Sequence, residues 1–87
     1  MLQKKLVIPT ENGLHARPAS ILVNKASQFE SEIKILLNGK DVNAKSILAV
    51  TSLGAVKNDE IIIETNGSDE KEALDEISKI IINLSWF

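Results

Sequence analysis

The chain has 87 residues, a formal net charge of −2, an apolar share of 44% and no cysteine. That length sets a single domain, residues 1–87, as the expectation, and the missing cysteines exclude disulfides and thiolate metal sites. Aromatic residues are confined to Phe29, Trp86 and Phe87, and Lys and Arg are scattered without a cluster, so neither a base-stacking platform nor a phosphate-backbone footprint for nucleic acid is present.

The first segment, Leu2 to Ile8, reads as a strand with Leu6 and Ile8 on one face. Pro9 and the Asn12-Gly13 pair end it. Pro18 to Phe29 reads as a helix, because Ala19, Leu22, Val23 and Ala26 recur at the i, i+3, i+4, i+7 spacing of a buried stripe. Ile33, Ile35 and Leu37 alternate as a half-buried strand, Asn38-Gly39 supplies the positive φ values of a tight hairpin, and the return strand runs from Lys40 to Ala44.

Ser46 is a cap for a short helix that runs through Leu53, with Gly54 as its stop. Glu60 to Thr65 is the most β-prone run and predicts a central strand. Asp69 followed three residues later by Glu72 resembles a capping box for the last helix. Ala73, Leu74, Ile77, Ile80, Ile81 and Leu84 form the stripe of that helix. The order βαββαβα, with helices that each need a sheet to cover, implies an α+β open-faced sandwich: an antiparallel sheet with helices on one face and solvent on the other.

Chemistry concentrates at Gly13-Leu14-His15-Ala16-Arg17-Pro18-Ala19, where the first strand gives way to the first helix. A helix N-terminus offers unpaired N–H groups and the positive end of a dipole, which together attract anions. Pro18 suits a first turn, where a missing N–H costs nothing, and it biases Arg17 away from helical geometry. Arg17 carries a guanidinium fork that fits phosphate oxygens. His15, the sole histidine, brings an imidazole that can attack a phosphoryl group in its neutral form. A lone His-x-Arg pair more often means a surface histidine beside a solvated charge. The helix-start context brings the two readings level, and the residues by themselves stop at an anion or phosphate site.

The run from Gly13 to Ala19 resembles the active-site signature of the histidine-containing phosphocarrier (HPr) family of the bacterial sugar phosphotransferase system. A second segment, Asn43-Ala44-Lys45-Ser46-Ile47 followed by Ser52-Leu53-Gly54, resembles the regulatory serine segment of the same family. The length, the Asn38-Gly39-Lys40 turn and the element order agree, so the resemblance covers essentially the whole chain. It implies a four-stranded antiparallel sheet with three helices on one face.

It also implies that enzyme I phosphorylates His15 at Nδ1, that Arg17 assists transfer, and that the phosphoryl group passes to a histidine on a sugar-specific enzyme IIA. The resemblance makes Ser46 the serine that a dedicated kinase/phosphorylase modifies, linking the chain to a catabolite-control transcription factor. Read without the resemblance, Ser46 is a plain N-cap.

Ala16, Ser20, Ile21, Asn24, Ile47 and Leu48 are the expected docking residues, since Ile21 lies off the buried stripe and Ile47 and Leu48 cannot both be buried in so short a helix. The expected protein is a cytoplasmic monomer, a group carrier rather than an enzyme, without cofactor, metal, nucleic-acid or membrane partner. A purely regulatory module and a nitrogen-branch paralogue are the alternatives. The intact His15-x-Arg17 pair argues against the first, and the segment around Ser46 leans away from the second.

Two departures from the family stand out. Members with a regulatory serine often carry Met or Gly where this chain has Leu48, Ala49 and Thr51. The Ser85-Trp86-Phe87 ending is apolar where the family usually ends in charges, which leaves packing on the domain, self-association and fraying all open.

Overall fold

The computed structural model describes residues 1–86, with side chains to Leu84; Phe87 and the side chains of Ser85 and Trp86 lie outside the described residues. Four strands, β1 (Leu2–Val7), β2 (Glu32–Leu37), β3 (Lys40–Asn43) and β4 (Glu60–Asn66), form one sheet in the order β1-β4-β2-β3. Every neighbouring pair is antiparallel. Helices α1 (Ala16–Ala26), α2 (Ile47–Ser52) and α3 (Glu70–Ile82) complete the βαββαβα order, and a 3₁₀ turn follows at Asn83–Trp86.

Strand alternation decides which sheet face is dry. Ile33, Ile35 and Leu37 of β2, Ile61, Ile63 and Thr65 of β4, and Leu6 of β1 are buried beneath the helices. The stripe of α1 (Ala19, Leu22, Val23, Ala26) meets them, and α3 adds Ala73, Ile77 and Ile81, continued by Leu84. Leu74 and Ile80 are only partly buried at the rim. Each fully buried Ile or Leu contributes about 1.5–3 kcal/mol, so this one layer interface carries most of the fold's favourable energy.

β4, flanked by β1 and β2, is the central strand its composition predicts. At the hairpin, Asn38 (φ 50°) and Gly39 (φ 83°) both take the left-handed conformation that a two-residue turn demands.

Three expectations need correction. The first helix begins at Ala16, not Pro18, and ends at Ala26, with a turn over Ser27–Phe29. Arg17 is therefore helical: Pro18 is the third helical residue, and the first intrahelical donor is Ala19 N–H, which reaches the His15 carbonyl at 3.0 Å. A proline at that position removes no hydrogen bond, and the bias it places on the preceding residue is overridden.

The predicted capping box at Asp69 does not form. Asp69 is the N-cap of α3 by position, but its carboxylate turns outward to accept from the N–H groups of Glu30 and Ser31, both at 2.9 Å, and from the Ser31 hydroxyl. Glu70, not Glu72, serves the local backbone by accepting from Gly67 N–H at 3.1 Å, and it also pairs with the N-terminal ammonium at 3.1 Å. Strands β1 and β3 stop one residue short of their predicted ends, although Ile8 and Ala44 keep their backbone bonds to Asp59 and Ile33.

Candidate functional site

The stretch from Thr10 to Leu14 is fastened to the loop that precedes β4. Leu14 N–H donates to the Ala55 carbonyl at 3.0 Å, Gly13 N–H donates to the Thr10 carbonyl at 3.1 Å, and Ile8 exchanges bonds with Asp59 and Asn58 on either side. Leu14 is buried. Gly13 has φ +67°, and a Cβ there would lie 2.2 Å from the Ala55 oxygen and 2.8 Å from Val56 Cα. Only glycine permits that approach. The opposing loop is itself fixed, because Asp59 Oδ2 accepts from Val56 N–H at 2.9 Å while Asp59 N–H returns a bond to the Val56 carbonyl. Glu11 and Lys57 form an ion pair across the outside of the same junction.

His15 follows this anchored stretch as the N-cap of α1, with extended backbone and no side-chain cap bond. Its imidazole is not used to close the helix end, and the residue is exposed. The N–H groups of Ala16 and Arg17 precede the first possible intrahelical donor, and Pro18 has none to offer. Arg17 is exposed in the same first turn and makes no ion pair among the described residues. No acidic residue occupies this turn to compete for its charge. The result is an exposed imidazole, a guanidinium and two backbone donors with no partner among the described residues, all within three consecutive residues, an arrangement suited to holding a divalent anion bonded to the histidine.

Ser46 is the N-cap of α2, as expected, and its hydroxyl accepts from Ala49 N–H at 3.2 Å. Helix α2 packs against α1. Two exposed apolar residues on α2, Ile47 and Leu48 (46% and 78% exposed), therefore neighbour the helix that carries His15, and Ile21 on α1 is 40% exposed. Ala16 and Asn24 are exposed and Ser20 is half-buried.

The Gly13–Ala55 contact and the bracing loop from Ala55 to Asp59 were not legible as parts of the site. The Asn12-Gly13 pair signals a positive φ, but nothing local to it names a partner some forty residues away. Among the described residues, no group of three His, Cys, Asp or Glu side chains is placed to hold a metal ion, and no helix is long and apolar enough to cross a membrane.

Comparison with known proteins identifies the family. Residues 2–83 match the family model described as the PTS HPr component phosphorylation site. The phosphocarrier protein HPr of Buchnera aphidicola subsp. Baizongia pistaciae is 46% identical over 84 residues, which cover 97% of this chain and 99% of that protein. The crystal structure of HPr-C-His from Thermoanaerobacter tengcongensis superposes with a TM-score of 0.94 at 36% identity, covering all of this chain and 98% of that one. The HPr dimer from the same organism matches with a TM-score of 0.75 at 40% identity over 91% of this chain and 93% of that one, so the expectation of a monomer stands beside a relative that dimerises. The open-faced sandwich, the histidine at a helix start and the whole-chain identity converge: the chain belongs to the HPr family of phosphotransferase-system phosphocarriers.

Proposed function

We propose that His15 is the residue that carries the phosphoryl group, received from phospho-enzyme I and given up to a sugar-specific enzyme IIA in the cytoplasm. The observation that carries this reading is the uncapped start of α1, where an exposed imidazole stands beside the free N–H groups of Ala16 and Arg17. In the forward step, the Nδ1 lone pair of neutral His15 attacks phosphorus, a new N–P bond forms, and the bond from phosphorus to the donor atom of phospho-enzyme I breaks. The donor atom keeps the electron pair. The second step repeats this with His15 as the leaving group. The helix end and Arg17 offset the charge of the bound phosphoryl group. They are solvent-exposed, so they stabilise it modestly and leave it transferable.

The chain acts as a carrier regenerated by its partners rather than as an enzyme. Ala16, Ser20, Ile21, Asn24, Ile47 and Leu48 form the docking surface, with apolar contact from Ile21, Ile47 and Leu48. Ser46 is the regulatory phosphorylation site, read by a kinase/phosphorylase and a catabolite-control transcription factor. A phosphate there would sit at a helix start that favours negative charge, and its cost would fall on an approaching acidic partner.

The test is incubation of the chain with enzyme I and phosphoenolpyruvate. One acid-labile phosphate per chain is expected on the wild type and none on His15→Ala. Equal labelling of the variant would remove His15 from the mechanism.

A further inference from the structure

The sheet face opposite the helices carries a charge pattern that fits a second copy of itself. Register places Lys5 of β1, Ile62 of β4, Leu36 of β2 and Asp41 of β3 in one row across the sheet. The adjacent row is Gln3, Glu64, Lys34 and Asn43. Leu36 and Ile62 are half-buried and belong to no part of the core, and Lys5 and Asp41 are exposed at the two ends of their row. Together with Glu60 these four residues line a shallow concavity.

Consider a two-fold axis lying along the strands, midway between β4 and β2, just above the sheet. It reverses each row. Lys5 then faces the partner's Asp41, Ile62 faces the partner's Leu36, and in the next row Glu64 faces the partner's Lys34. One row outward, Glu32, paired with Asn66 in the register, faces the partner's Asn66, so no like charges meet. An axis perpendicular to the strands through the first row would instead stack Lys5 on the partner's Lys5 and Asp41 on the partner's Asp41. A perpendicular axis midway between the two rows would set Ile62 on the partner's Glu64 and Leu36 on the partner's Lys34 and form no ion pair, so of these three axes only the strand-parallel one matches opposite charges and pairs the apolar residues, an aligned sheet-on-sheet arrangement.

We propose that this open face is a homodimerisation surface, with two copies related by that strand-parallel two-fold. The area is small: four strands at ~4.8 Å spacing span about 19 Å, and strands of six or seven residues run about 20 Å, so the face offers roughly 400 Å², below the ~800 Å² per partner of a stable interface. The dimer is therefore weak and concentration-dependent. Lys34 already pairs with Asp41 in its own chain at 3.7 Å, so each Asp41 is shared with the partner's Lys5. Because the helices lie on the other side, α1, α2 and His15 stay open in both copies.

Sedimentation velocity of the full chain from about 20 µM to about 1 mM, the range of weak interfaces, tests this. The wild type should shift towards dimer, and less so as salt rises. Lys5→Asp and Asp41→Lys should each remain monomeric, with dissociation constants raised roughly tenfold or more, because two symmetric contacts turn repulsive. An equimolar mixture of the two variants should recover a heterodimer, since each supplies the charge the other has lost; this also shows that both are folded. A monomeric wild type at the highest concentration overturns the proposal. So does a wild-type dimer that both single variants retain, and so does a mixture that stays monomeric while each variant melts like the wild type.

Discussion

Helices α1 and α2 start in opposite ways, and the contrast separates a site from a cap. At α2 the Ser46 hydroxyl closes on Ala49 N–H, so the helix satisfies one of its own orphan donors. At α1 the corresponding residue is His15, which makes no such bond, and the donors behind it stay open. A self-capped helix end is stabilised and has less to offer an anion. An uncapped end gives up that stabilisation and keeps its donors available. Helix α3 starts in a third way: Asp69 occupies the cap position but spends its carboxylate on Glu30 and Ser31, tying the turn after α1 to the start of α3. One kind of backbone geometry therefore serves the proposed phosphoryl site, local closure and long-range fastening.

Ranked by their effect on the fold, substitutions at these helix starts should separate the three roles. The largest effect belongs to the anchor that lets α1 do without a cap. Gly13→Ala puts a Cβ 2.2 Å from the Ala55 oxygen at a φ of +67°, so backbone strain and displacement of the bracing loop add. We expect a loss of about 3 kcal/mol in chemical denaturation, with phosphoryl acceptance falling as well. If stability holds, the junction with Ala55 is not what positions His15.

Next is Asp69→Asn, whose effect is distinguished by pH. The Ser31 hydroxyl first, then the Glu30 and Ser31 N–H groups, holds the Asp69 carboxyl below its ordinary 3.8. A lowered native pKa contributes stability that is fully present above the unfolded value and is lost as pH falls through the native one. Thermal melts should show the wild type well above the variant at pH 7, the gap closing as pH drops below 3.8. A gap that stays constant would mean that the fastening does not depend on the carboxylate's charge. Glu70, held below its usual 4.5 by Gly67 N–H and the N-terminal ammonium, adds acid sensitivity of the same sign to both proteins.

These two substitutions also mark where reading the sequence ran out. The stripe of α1, the alternation of β2, the Asn38-Gly39 hairpin and the central β4 were all legible because each is written in residues a few positions apart. Asp69 was misassigned because its partners sit 38 and 39 positions away, and a local capping pattern was the nearer explanation. Arg17 was placed outside the helix because the pre-proline bias is local, whereas the start of α1 is set by the Gly13–Ala55 junction. The candidate site was legible as residue types at a helix start. Its specificity came from resemblance, since spacing shows that an anion fits and not that the anion is handed on.

Smaller again is Ser46→Ala. Removing the hydroxyl leaves Ala49 N–H without its partner and should cost about 1 kcal/mol. Ser46→Asp, which can cap as well, should restore most of it. The pair sharpens the contrast between α1 and α2, because a cap that is also a regulatory site must tolerate negative charge. With the family kinase and ATP, acid-stable phosphate is expected on the wild type and none on Ser46→Ala. No labelling of the wild type by an active kinase would leave Ser46 a cap and nothing more.

The smallest effect on the fold, and the most telling, is expected from Arg17→Ala. The side chain is exposed and makes no ion pair among the described residues, so stability should change by no more than about 0.5 kcal/mol. Arginine and alanine are both good helix formers, so the first turn of α1 should persist. What the substitution removes is the one fixed positive charge in a turn whose remaining donors are backbone N–H groups. For an exposed side chain, charge-assisted bonds to a phosphoryl group are worth up to about 1 kcal/mol, so transfer from enzyme I should slow about fivefold. Arg17→Lys should recover only part of the rate, since an ammonium lacks the planar fork. An unchanged rate would assign charge stabilisation to the helix end alone. A large fall in melting temperature would instead make Arg17 a structural residue, and the open start of α1 would then be held by the very side chain assigned to its chemistry.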